Sequence, residues 1–142
     1  MSILLAIHLL AIGIWLGVVG AEFAIEIAGM KNDEELKRAS LLHYQTDIWV
    51  EIPAFLTVLA TGFLMLEGAQ LEGVILAKVI FGLLAVMFNL IAVYAVFVRR
   101  KKILSGDMDG LGSVQRAMRI SSLVIPCFVI ALALGFYSLV AG

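Results

Sequence analysis

The chain has 142 residues, of which 63% are hydrophobic and 15% charged, and its formal net charge is −1. A water-soluble domain is about 45–50% apolar, so this composition indicates a membrane protein and excludes an ordinary globular core. The near-neutral charge excludes a basic nucleic-acid-binding surface, and the single cysteine, Cys127, excludes a disulfide framework or a cysteine-rich metal cluster.

A helix crosses a bilayer with about 20 apolar residues, and four stretches meet that length, at roughly residues 3–29, 45–66, 75–98 and 120–140. They predict an all-α integral membrane four-helix bundle, a single transmembrane domain over residues 1–142. The first stretch, MSILLAIHLLAIGIWLGVVGAEFAIEIAG, lacks a basic leader and outruns the roughly 7–15 apolar residues of a signal peptide, so it is expected to be a retained span. Gly13, Gly17 and Gly20 or Ala21 along this stretch, with Ala131 and Gly135 in the fourth, are spaced for close helix contact. That contact is expected mainly inside the bundle, with a homodimer seam as the alternative.

The first connection, KNDEELKRASLLHYQ, sets Asp33, Glu34 and Glu35 ahead of Lys37 and Arg38. This polarity suits a short interfacial helix capped by Asn32 or Asp33, and the second span is expected to continue from it. The second connection, EGAQLEG, is short and acidic, whereas the third, RRKKILSGDMDGLGSVQRAMR, is basic at both ends with a glycine-rich middle that reads as a loop. Nine of the ten Lys and Arg residues lie in or beside the first and third connections, which by the positive-inside rule places both termini on the outer side.

Ionisable residues inside the apolar stretches are few and fall in a pattern. Glu22 and Glu26 are four apart near the end of the first, and His43, Asp47 and Glu51 are four apart entering the second; residues so spaced share a helix face. An antiparallel hairpin brings the two sets level. A carboxylate at the bilayer centre costs about 2.5–3.5 kcal/mol, less near an interface, so four require compensation. Arg99, Arg100 and Arg119 lie at the interface, and full ion pairing is expected to fall short. A bound divalent metal supplies the missing charge, and mixed carboxylate and imidazole ligands suit Zn, Fe or Mn, one or two per chain. The expected ligands are Glu22, Glu26, His43, Asp47 and Glu51, with Asn89 and Tyr44 able to complete or orient the shell. A carboxylate-based proton relay or transporter, and a structural polar network open to the cytoplasmic water, are further alternatives.

His8 lies near the other end of the first span, about 20 Å along the helix from Glu22. Lys78 starts the third span, and either residue is accounted for by interfacial snorkelling or an interhelical hydrogen bond. The functional alternative is a haem b site with His8 as one axial ligand and Lys78 or Met65 as the other. Pro126 reads as a kink in the fourth span. Phosphate-binding loops, HExxH and Ser-His-Asp arrangements are missing, so no reaction or substrate is legible.

The segments IHLLAIGIWLGVVG, IPAFLTVLATGFLML, AKVIFGLL and RISSLVIP, in this order and spacing, resemble small bacterial four-span membrane proteins: the haem-containing protoporphyrinogen oxidases of the HemJ type and the copper-resistance D-like proteins. His8, Trp15, Pro53, Lys78 and Pro126 carry the resemblance. It implies a multi-pass protein of a bacterial-type plasma membrane and, if the oxidase activity carried over, haem at His8 and Lys78. The chain has Asn89 in MFNLIAVYAVF where the oxidase pattern carries a histidine patch. Its acidic set Glu22, Glu26, Asp47 and Glu51 lies outside that pattern and looks more like a four-helix membrane di-metal centre.

Overall fold

In the computed structural model, which describes residues 2–67, 69–107 and 111–141, the Ser2 side chain starts α1 (Ile3–Gly29) by accepting a 3.2 Å hydrogen bond from the Leu5 N–H. Such a cap satisfies one of the donors that every helix start leaves open. Asn32 does the same for α2 (Asp33–Thr46), its Oδ1 accepting from the Glu35 N–H at 2.9 Å, while Asp33, Glu34 and Glu35 crowd the positive end of the helix dipole. A π-helical turn over Asp47–Glu51 joins α2 to α3 (Ile52–Met65), so residues Asp33–Met65 form one continuous rod. Helices α4 (Gly73–Ser105), α5 (Leu111–Ser121) and α6 (Val124–Ala141) complete the described elements, all of them helical.

Four helical rods, Ile3–Gly29, Asp33–Met65, Gly73–Ser105 and Leu111–Val140, are long and apolar enough to cross a membrane. The distribution of side chains inverts that of a soluble protein. Leu10, Phe23, Trp49, Phe63 and Tyr137 are exposed, whereas Glu22, His43, Asp47, Glu51, Asn89 and Arg99 are buried. Soluble proteins almost never bury Asp or Glu fully without a partner.

Internal packing divides the chain into two units, Met1–Ala69 with Arg99–Met108, and Gln70–Val98 with Asp109–Gly142. In the first unit α1 packs antiparallel on the rod formed by α2, the π turn and α3. The register can be read from four contacts along α1. Gly29 meets Ala39, Glu26 meets His43, Trp15 stacks at a tilt on Phe55 with ring centroids 6.1 Å apart, and His8 meets Thr61. At Gly29 the helices approach so closely that a Cβ would stand 2.6 Å from that of Ala39, which only glycine permits. The end of α4 belongs to this unit too. Gly106, at φ 74°, stops the helix, with the Asp107 N–H reaching back to the Lys102 carbonyl at 3.0 Å and Gly106 N–H to Ile103 at 3.3 Å.

In the second unit Lys78 runs its aliphatic stem beside Gly135 of α6, where a Cβ would lie 3.5 Å from its Cδ. The fourth rod, Leu111–Val140, is interrupted by a turn near the start of the expected span rather than at Pro126. Ser122 and Leu123 form a turn, and Pro126 occupies the first turn of α6, where its missing N–H has no partner to lose. Of the glycine-rich middle expected as a loop in the third connection, residues 108–110 lie outside the described residues, and Gly112 is already within α5.

One further expectation changes. Gly13, Gly17 and Gly20 are exposed, with no described atom within 4 Å of a Cβ at any of them, so this stripe is not the face by which α1 packs on α2 and α3. The reason is rotational: α1 turns the face bearing Ala11, Trp15, Val18 and Glu22 inward and leaves the small residues on the other side. As expected, α2 runs into the second span without a break.

Candidate metal centre

The hairpin brings Glu22 and Glu26 of α1 level with His43 of α2 and Asp47 of the π turn. His43 occupies the middle of the group and uses its two ring nitrogens differently. Nδ1 hydrogen-bonds Glu26 Oε1, while Nε2 faces Glu22 Oε2 at 3.5 Å and Asp47 Oδ1 at 3.6 Å. Glu26 is in turn gripped by Arg99 from the end of α4, Nη1 on Oε2 at 2.6 Å and Nη2 on Oε1 at 2.5 Å. This two-pronged grip is the strongest geometry open to an Arg–carboxylate pair.

Ion pairing, expected to fall short for the whole set, is in place at Glu26. Arg99 lies 73 residues away in sequence, yet α4 ends on the same side of the molecular unit as α1, and a guanidinium on three methylenes spans the remaining gap. Next to it, the Arg100 guanidinium sits 4.1 Å over the Tyr44 ring, so Tyr44 carries a cation on its face. Asn89 is buried on α4 within the second unit.

Glu22, His43 and Asp47 are all buried, and one ligand atom from each lies within 4.8 Å of the others. Asp47 is 0% exposed, and neither of its carboxylate oxygens has a hydrogen-bond partner; Glu22 Oε1 and Glu51 Oε2 are in the same condition. A buried carboxylate without partners costs several kcal/mol, on the order of 1–3 for each lost hydrogen bond and more for a charge. Among the described residues, Glu26 is the one of these four carboxylates that is paired with an arginine, Arg99.

The π turn explains why Glu51 stays with the group. In an α-helix each four-residue step overshoots a full turn by about 40°, so two steps would carry Glu51 about 80° around from His43. Here the Ile52 N–H bonds to the Asp47 carbonyl, five residues back, and the wider turn cancels part of that drift. Pro53 supplies a cause: it has no N–H to donate, and its ring would crowd the carbonyl four residues earlier in a regular helix. This turn, like the paired grip of Arg99 on Glu26, was not anticipated from sequence. Its only trace there was a proline two residues after a buried carboxylate.

At the other end of the hairpin His8 Nδ1 lies 2.7 Å from Thr61 Oγ1, and the Thr61 hydroxyl donates to the Thr57 carbonyl at 2.6 Å. Thr61 therefore accepts from His8. Lys78, the other residue expected at a haem, belongs to the second unit.

Among known proteins, no family model, curated protein or solved structure matches the chain. The resemblance to the oxidases and copper-resistance D-like proteins consequently assigns no family, and function has to be argued from the site.

Proposed function

We propose that the protein is an integral membrane metalloprotein holding one divalent transition metal between Glu22, His43 and Asp47. The observation that carries this reading is the spacing around His43 Nε2, 3.5 Å to Glu22 and 3.6 Å to Asp47. Those separations are too long for good hydrogen bonds, which lie at about 2.7–3.2 Å. They match the roughly 3.4 Å between two ligands at about 2.0–2.2 Å from a shared tetrahedral ion. One imidazole with two carboxylates suits Zn, Fe or Mn. Since Glu26 is already held by Arg99 and His43, one ion fits the remaining donors better than two. Glu51, buried on the same face, completes the acidic wall.

The inverted distribution of polar and apolar side chains supports insertion in a membrane, and the basic ends of the first and third connections support an inner location for the site in a plasma membrane. Purification without chelator, followed by metal analysis by mass spectrometry, should find one equivalent of Zn, Fe or Mn per chain. Metal far below one equivalent, or metal unchanged in Asp47→Asn and Glu22→Gln, would overturn the reading.

A second reading, a proton relay, is supported by the continuity of the group from Glu26, whose side chain is 25% exposed, to the fully buried Asp47. It expects acid-driven flux in liposomes that Glu51→Gln abolishes. Flux indifferent to that substitution removes it.

A further inference from the structure

We infer that Glu26 and Arg99 are positioning residues that set His43 in the one ring orientation and tautomer able to bind a metal; this rests on the metal reading of the site. Glu26 accepts two hydrogen bonds from Arg99, and His43 Nδ1 closes on the same carboxylate. A carboxylate held as an acceptor keeps a proton on Nδ1, so that a neutral His43 carries its lone pair on Nε2. Nε2 is the atom that faces Glu22 and Asp47.

Metal-binding histidines characteristically donate their second ring nitrogen to a carboxylate, which fixes the ring and raises its strength as a ligand. The distinctive element in this protein is the third member. Arg99 is 5% exposed and enters from the last turns of α4, whose end is set by the Gly106 stop and braced by Lys102 on Asp107 at 2.7 Å. Metal affinity is thereby tied to the seating of the α4 end against α1 and α2. Glu26, grouped with the ligands on spacing alone, acts through His43.

Co²⁺ is the probe, because its visible absorption reports ligand number and geometry. In the full-length protein in detergent, Glu26→Gln should weaken Co²⁺ binding about 10–100-fold and shift its bands. The amide NH₂ offered to Nδ1 favours the opposite tautomer, with the proton on Nε2. Arg99→Lys keeps the buried charge but not the paired grip, and should weaken binding less while altering the same bands. Glu26→Asp, which retains an acceptor, should recover part of the loss. Unchanged affinity and spectrum in Glu26→Gln and Arg99→Lys, with Asp47→Asn still losing metal, would overturn the positioning role alone. An unsubstituted protein that takes up neither Co²⁺ nor Zn²⁺ would remove both the role and the metal reading. Should Glu26→Gln fail to fold, Arg99→Lys and Glu26→Asp decide the same question.

Discussion

The chain's two histidines occupy opposite ends of one hairpin and share a residue type but little else. His8 meets a threonine hydroxyl and the bare backbone of Gly62, where a Cβ would lie 3.5 Å from its ring. His43 meets carboxylates on both ring nitrogens, and one of those carboxylates is locked by an arginine. A hydroxyl can be satisfied within its own helix, as Thr61 is by donating to Thr57, so the His8 contact is complete as a structural hydrogen bond. Buried carboxylates have no such internal remedy and require a proton, a cation or a guanidinium. The Glu26 carboxylate has its guanidinium, and Asp47 does not, which is why the two ends of the hairpin call for different explanations.

The sharpest way to break the contrast is Asp47→Asn. It should abolish metal retention through purification, measured by mass spectrometry, and at the same time raise the thermal stability of the metal-free protein in detergent, because it removes a charge with no hydrogen-bond partner from the interior. Loss of stability in the metal-free form would show that Asp47 is a structural member of the network. Next in size is Arg99→Ala, which leaves Glu26 with His43 but without its guanidinium. Breaking a buried pair costs about 3–5 kcal/mol, and the low end is expected because the Glu26 side chain keeps 25% exposure. Chemical unfolding followed by circular dichroism measures it.

A smaller effect tests the register that holds both ends in place. Gly29→Val drives a Cβ into Ala39 and should cost about 1–3 kcal/mol. Gly17→Ala meets no atom within 4 Å and should be neutral or stabilising by up to about 1 kcal/mol, as for an exposed helical glycine. Equal costs at the two glycines would mean that the outward stripe is packed in the assembled protein. The smallest effect belongs to His8→Ala, about 1 kcal/mol for one hydrogen bond, with metal content unchanged. A Soret band in the purified protein that disappears in this variant would return the haem reading to His8.

Much of the hairpin was legible because both of its helices carry polar groups at four-residue spacing within apolar runs, so face and depth follow from helix geometry. Glu22, His43 and Asp47 are brought together where that argument put them. Arg99 was legible as an interfacial residue but not as the partner of Glu26, since its sequence position, at the head of RRKK after an apolar run, is equally that of a residue reaching for water. The glycines of α1 were misjudged for a related reason: small residues mark a face that can be approached, but not which neighbour approaches it. Gly29, outside the repeating stripe, is pressed against Ala39 of another helix.

By itself the sequence determined the all-α character, the four apolar helices and the acidic face of each arm of the hairpin, because helix periodicity and the length needed to cross a bilayer are local properties of the chain. Only the tertiary structure decided which carboxylate is paired and which is not. That division depends on where the end of α4 meets α1, on a π turn that keeps Glu51 aligned, and on the ring of His43 being turned by Glu26, and each of these is a contact between residues whose separation along the chain conceals it.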